Sequence, residues 1–162
     1  MPATLMSVTS ILSQGAATEL EDCPESEPVR VRVLDPCRTL VEKLVLLHTA
    51  HTSTDPHDAI RGARHYYDVH QLLANPAAVA AMNEIGIETL SRDVYTYSTA
   101  AGLPADSRPG FANSPAFTNG QHLGAARERY EQSVLGQLLW PHAAKPSFDS
   151  CLNAVKSAGS AL

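Results

Sequence analysis

Lys43, and separately the cluster of Arg61, Arg64 and Asp68, are residues whose types could do chemistry. An ammonium holds a phosphate as a compact point charge. A carboxylate set among cations stays ionised and serves as a base or polar anchor. Asp68 lies in "RGARHYYDVHQLL", residues 61–73. On a helix, Arg61, Arg64, His65 and Asp68 fall close through i+3 and i+4 spacing. The spacing predicts an Arg64–Asp68 ion pair of about 0.3 kcal/mol. A salt-bridged, solvated helix face has the same pattern, so these residues alone leave both readings open. Lys43 borders the apolar row Leu40, Leu44 and Leu47. A lysine there either snorkels to solvent or is held toward a phosphate.

Other chemistries find less support. His48, His51, His57, His65 and His70 are dense, but no H-x-x-x-H pair puts two ligands on one helix face. No metal ligands are assigned. Cys23, Cys37 and Cys151 are widely spaced and form no C-x-x-C pair, which suggests neither a disulfide framework nor a thiolate zinc site. The sequence holds no glycine-rich phosphate loop and no G-x-S-x-G elbow. A net charge of −5 argues against indiscriminate nucleic-acid binding. The charge is uneven: "ELEDCPESE" is acidic, and Arg30, Arg32, Arg38, Lys43, Arg61 and Arg64 follow it. A local basic surface fits that distribution.

The elements that must position these residues are legible in the pattern. The 162 residues, 44% hydrophobic and 18% charged, suffice for one domain with a core. No apolar run approaches the length of a membrane span, and residues 1–20 lack the marks of a signal peptide. The expected location is cytoplasmic. "LMSVTSIL", about residues 5–12, reads as a strand, with a short helix left open. "VRVRV", residues 29–33, alternates as a half-buried strand. Asp35 and Pro36 open a helix through "CRTLVEKLVLLHTAH". Asp55-Pro56 opens a second helix, running to about Ala74. Asn75-Pro76 stops it and starts a third, ending near Gly86. "ETLSRDVYTYSTAA" reads as a fourth. Residues 102–120 read as a long irregular loop docked through Phe111 and Phe117. "HLGAARERYEQSVLGQLLW" forms an amphipathic helix ended by Pro141. Ser147 caps a last short helix with Phe148, Leu152 and Val155 on one face.

The fold class is therefore α+β, mostly α. One or two N-terminal strands precede a bundle of five or six helices. Residues 1–27 form a strand and acidic loop, and residues 28–162 the helical domain. One or two strands make no stable sheet alone.

"VLDPCRTLVEKLVLLH" followed by "RGARHYYDVHQLL" resembles the C-terminal portion of the AbiEii/AbiGii nucleotidyltransferase toxins of type IV toxin–antitoxin and phage-defence systems. "GFANSPAF", "YEQ" and "PSFD" extend the resemblance over roughly residues 28–158. The resemblance implies that Lys43 meets nucleotide phosphates and that Asp68 serves in nucleotidyl transfer. Arg61 and Arg64 then stand as nucleotide-binding residues near that aspartate. It implies an NTP and Mg²⁺, with transfer to tRNA, another RNA or a protein. The family's Asp-x-Asp pair, which holds the metal ions, has no counterpart here. The expectation is thus a catalytically incomplete chain whose strands are the remnant of a nucleotidyltransferase sheet. The implied partners are a complementing N-terminal nucleotidyltransferase chain, a cognate antitoxin, or a second copy. A non-enzymatic remnant or interaction protein is the alternative.

Overall fold

The computed structural model describes residues 3–9, 27–103, 110–138 and 142–162. The chain divides into two compact units, Met1–Asp35 and Pro36–Leu162.

The first unit holds an antiparallel pair, β1 (Ala3–Val8) and β2 (Val29–Leu34), with Ala3 opposite Leu34 and Val8 opposite Val29. Side chains alternate across a strand, so Thr4, Met6 and Val8 share a face with Val29, Val31 and Val33. Arg30, Arg32 and Ser7 lie on the other. The expected strand at 29–33 is present, but not half-buried. Val29 is 62% exposed, with Met6, Val8 and Val31 also open. The early strand begins at Ala3, and residues 10–12 of its expected span lie outside the described residues.

The second unit is helical. Its α-helices are α1 (Pro36–Thr52), α2 (Pro56–Gly62), α3 (Arg64–Leu73), α4 (Pro76–Ile85), α5 (Ile87–Ala100), α6 (Leu123–Arg129) and α7 (Phe148–Ala158). The Asx-Pro starts work as expected. Asp55 accepts a hydrogen bond from the His57 N–H, and Asn75 accepts from Ala77 and Ala78. Ser147 accepts from the Ser150 N–H at the start of α7.

Two helices differ from expectation. The single helix expected from Asp55 to Ala74 breaks into α2 and α3. The chain stays right-handed at Ala63, but the Ala63 N–H reaches back only to Ile60, an i−3 bond that tightens the turn. The break adds a helix to the expected count. The helix expected over residues 122–140 runs as α6 and then as a π-helix, Tyr130–Leu138. The wider winding keeps Tyr130 and Val134 buried while Arg129 donates to Ser133 Oγ. Residues 139–141 lie outside the described residues.

Tyr66 of α3 sits at the centre of the core, fully buried. Its ring packs on Phe148, centroids 4.6 Å apart, and edge-on to Phe117 at 5.8 Å. Its hydroxyl donates to the Ala116 carbonyl and accepts from His51 Nε2 of α1. The loop aromatics dock as expected: Phe111 and Phe117 are both buried. These contacts tie α1, α3, the loop and α7 together, and so fix α3 beside α1.

Candidate functional site

Lys43 is carried by α1 one turn after Leu40, on the edge of the buried row Leu40, Leu44 and Leu47. It does not run out to open solvent. Its Nζ lies 3.6 Å from Asp68 Oδ2 of α3, and its side chain is 23% exposed. Tyr66 and Val69 of the same helix are buried in the core, with Tyr66 also bonded to α1 through His51.

Asp68 has a second partner. His65 Nδ1 lies 3.1 Å from the same Oδ2, one turn earlier on α3. An ionised carboxylate only accepts, so the imidazole Nδ1–H is the donor. Burial pushes the Asp68 carboxyl up, but the His65 hydrogen bond and the Lys43 charge outweigh it and hold it below the usual carboxylate range. Asp68 is an anion at neutral pH.

The arginines are placed otherwise than the spacing predicted. Arg61 is on α2, beyond the break, pairs with Asp58 and is largely exposed. Arg64 is exposed, and among the described residues the ion-pair partners of Asp68 are Lys43 and His65. His65 sits on the buried side of the same turn, where the carboxylate is partly desolvated, and takes the place expected for Arg64. Lys43 and Asp68 are thus brought together, while Arg61 and Arg64 line the neighbouring surface. Sequence reading placed His65 near Asp68 without assigning it a role. The i+3 spacing was the available signal.

Advancing along α1 retreats along α3 and α2. Lys43 meets Asp68, Ala50 lies against Gly62, and Ser53 donates to Asp58. The helices are antiparallel, and a pocket of about 590 Å³ lies along the seam beyond the Lys43–Asp68 pair. Arg61, Arg64 and His65 line it with Leu46, Ala50 and Leu103.

Along this seam a lysine paired with an ionised aspartate stands beside a pocket that neither of them lines, and the pocket's own lining carries Arg61 and Arg64 together with the Asp58 carboxylate. The family description "Nucleotidyl transferase AbiEii toxin, Type IV TA system" matches residues 1–154. Fold and match together place the protein among the toxin-type nucleotidyltransferases. The chain belongs to the AbiEii family of type IV toxin–antitoxin systems. The match begins at residue 1, earlier than the motifs of the helical part. No curated protein and no solved structure matches the chain.

The family implies Mg²⁺ in general terms, and the donor set tests that. Mg²⁺ is bound by carboxylates with phosphate and water oxygens. Asp68 Oδ2 is already shared by an ammonium and an imidazole. Among the described residues no group of three His, Cys, Asp or Glu side chains could hold a metal ion. These residues alone do not fit Mg²⁺. Among the described residues no helix is long and apolar enough to cross a membrane.

Proposed function

We propose that this chain supplies the lysine–aspartate part of a nucleotidyl-transfer site and is catalytically incomplete without further carboxylates. On this reading Lys43 meets the phosphates of an NTP. Asp68, kept ionised, orients Lys43 and serves the transfer as an anion facing the acceptor. Arg61 and Arg64 provide positive surroundings for the nucleotide. The acceptor is an RNA such as tRNA, or a protein. The observation that carries the reading is the 3.6 Å approach of Lys43 and Asp68 from separate helices.

Incompleteness rests on the sequence. The 162 residues contain no Asp-x-Asp, and phosphoryl transfer needs its developing charge neutralised. A polypeptide segment bearing those carboxylates, linked or separate, would complete the site. The test is label transfer from an NTP, with Mg²⁺ and a tRNA pool. The purified chain alone yields no labelled product. Adding an Asp-x-Asp nucleotidyltransferase segment from its genomic neighbourhood restores product, and Lys43→Ala abolishes it. Lys43-dependent product from the chain alone would refute the incompleteness.

A second reading has its own support. The apolar face of the β1–β2 pair is exposed, and such a face marks an interaction surface. A non-enzymatic remnant that binds an antitoxin or a partner chain through it would retain Lys43–Asp68 as a structural ion pair. In that case Lys43→Ala and Asp68→Ala change stability alone.

A further inference from the structure

His65 belongs to two places at once. Its Nδ1 lies 3.1 Å from Asp68 Oδ2. The same residue lines the pocket along the α1–α2/α3 seam, which Lys43 and Asp68 do not. Asp68 is ionised and accepts the Nδ1–H. A neutral imidazole in that tautomer keeps its lone pair on Nε2.

Support of the ion pair uses Nδ1 alone and leaves Nε2 unexplained. Among the described residues Nε2 has no hydrogen-bond partner. It is not sealed away either, since the ring nitrogens that are both unpaired and inaccessible are His51 Nδ1 and His70 Nδ1. The pocket that His65 lines has a volume of about 590 Å³, within the range of small-molecule sites. That leaves room for the hydroxyl-bearing end of an acceptor. A carboxylate on Nδ1 with a lone pair on Nε2 is the arrangement of a general base. The carboxylate fixes the tautomer and stabilises the imidazolium that forms.

We propose that His65, oriented by Asp68, is the general base of the site and takes the proton of an acceptor hydroxyl held in the seam pocket. The proton passes from the hydroxyl to Nε2. The oxygen bonds to the α-phosphorus of the NTP, the bond from that phosphorus to the bridging oxygen breaks, and pyrophosphate leaves with the electron pair. The imidazolium then returns its proton to water. This assignment rests on the nucleotidyl-transfer reading of Lys43–Asp68. It leaves Lys43 with the phosphates and makes Asp68 a positioning residue that serves the transfer through His65.

The first measurement is carbethoxylation of the folded full chain by diethyl pyrocarbonate, with adducts mapped by mass spectrometry. His65 and the exposed His57 acquire the adduct, while the buried His51 does not. A His65 as unreactive as His51 overturns the base. The second is label transfer from an NTP to a tRNA pool, with Mg²⁺, by the chain together with the Asp-x-Asp segment. His65→Asn keeps a donor for Asp68 but has no nitrogen in place of Nε2. It lowers label transfer by about a hundredfold or more and leaves NTP affinity unchanged. Added imidazole restores part of the product to His65→Ala and none to Lys43→Ala. Transfer that needs Lys43 yet proceeds at the parental rate in His65→Asn overturns the base and leaves the lysine–aspartate site standing. A loss that imidazole does not relieve assigns His65 a structural part and overturns the base as well. No transfer by the completed parent overturns the nucleotidyl-transfer reading and the base with it.

Discussion

Lys43 Nζ and Asp68 Oδ2 lie 3.6 Å apart, one on α1 and one on α3, with His65 Nδ1 on the same oxygen. Two groups, one from each helix, therefore set the charge of one carboxylate. The core beneath them, centred on Tyr66, holds the helices in that register.

Removing either cation-side partner moves the carboxyl in a known direction. His65→Ala deletes the hydrogen bond and Lys43→Ala deletes the charge that hold Asp68 below the usual range. Each substitution raises the Asp68 pKa, as followed by NMR titration. His65→Asn, which keeps a donor, raises it less. An Asp68 pKa unmoved by both alanine substitutions would show that the pair is not formed in solution.

Tyr66 links the site to the core. Tyr66→Phe leaves the Ala116 carbonyl and His51 Nε2–H without their buried partner. The expected loss is about 1–3 kcal/mol in urea unfolding. Tyr66→Ala also opens a cavity among Phe117 and Phe148 and loses about 3–5 kcal/mol. A Tyr66→Phe variant as stable as the parent would remove the network from the account.

His51 makes stability depend on pH. Burial first, and the nearby His122 second, lower its pKa from 6.5 to about 4. The unfolded chain then binds more protons between those values, so stability rises with pH across the window and is lost on acidification. The difference corresponds to roughly 3 kcal/mol. Asp68 acts with the same sign at lower pH. Its lowered pKa contributes stability above the ordinary carboxylate value, which is lost as pH falls through the folded value. Urea unfolding from pH 7 to pH 4 should show the loss, and His51→Gln should flatten it. A profile unchanged by His51→Gln would contradict the assignment.

The open face of the β1–β2 pair predicts association. Met6, Val8, Val29 and Val31 share that face. Sedimentation of the parent chain should reveal concentration-dependent oligomers, reduced by Val29→Lys with Val31→Lys. A monomer at every concentration would count against an interaction role for this face.

Local signals in the sequence transferred to the fold, and tertiary ones did not. The alternation of Val29, Arg30, Val31, Arg32 and Val33 defined β2, and Asp55-Pro56 and Asn75-Pro76 defined the starts of α2 and α4. These rest on the conformation of one or two residues. The break at Ala63 left no such mark, because the backbone there keeps helical dihedrals and changes only its hydrogen-bond partner. The π-helix was hidden for the same reason, since an amphipathic pattern fits either winding. Lys43 and Asp68 were singled out by resemblance rather than by spacing, as they belong to different helices. The exposure of Val29 and Val31 is a tertiary property that alternation alone cannot report.

The most direct test of the account is NTP binding to the purified chain, measured by titration in the parent, Lys43→Ala and Asp68→Asn proteins. The account predicts saturable binding by the parent. Lys43→Ala should weaken it by about tenfold or more through loss of the phosphate contact, and Asp68→Asn should weaken it through misplacement of Lys43. Equal NTP affinity in all three folded proteins, or none in the parent, would contradict it.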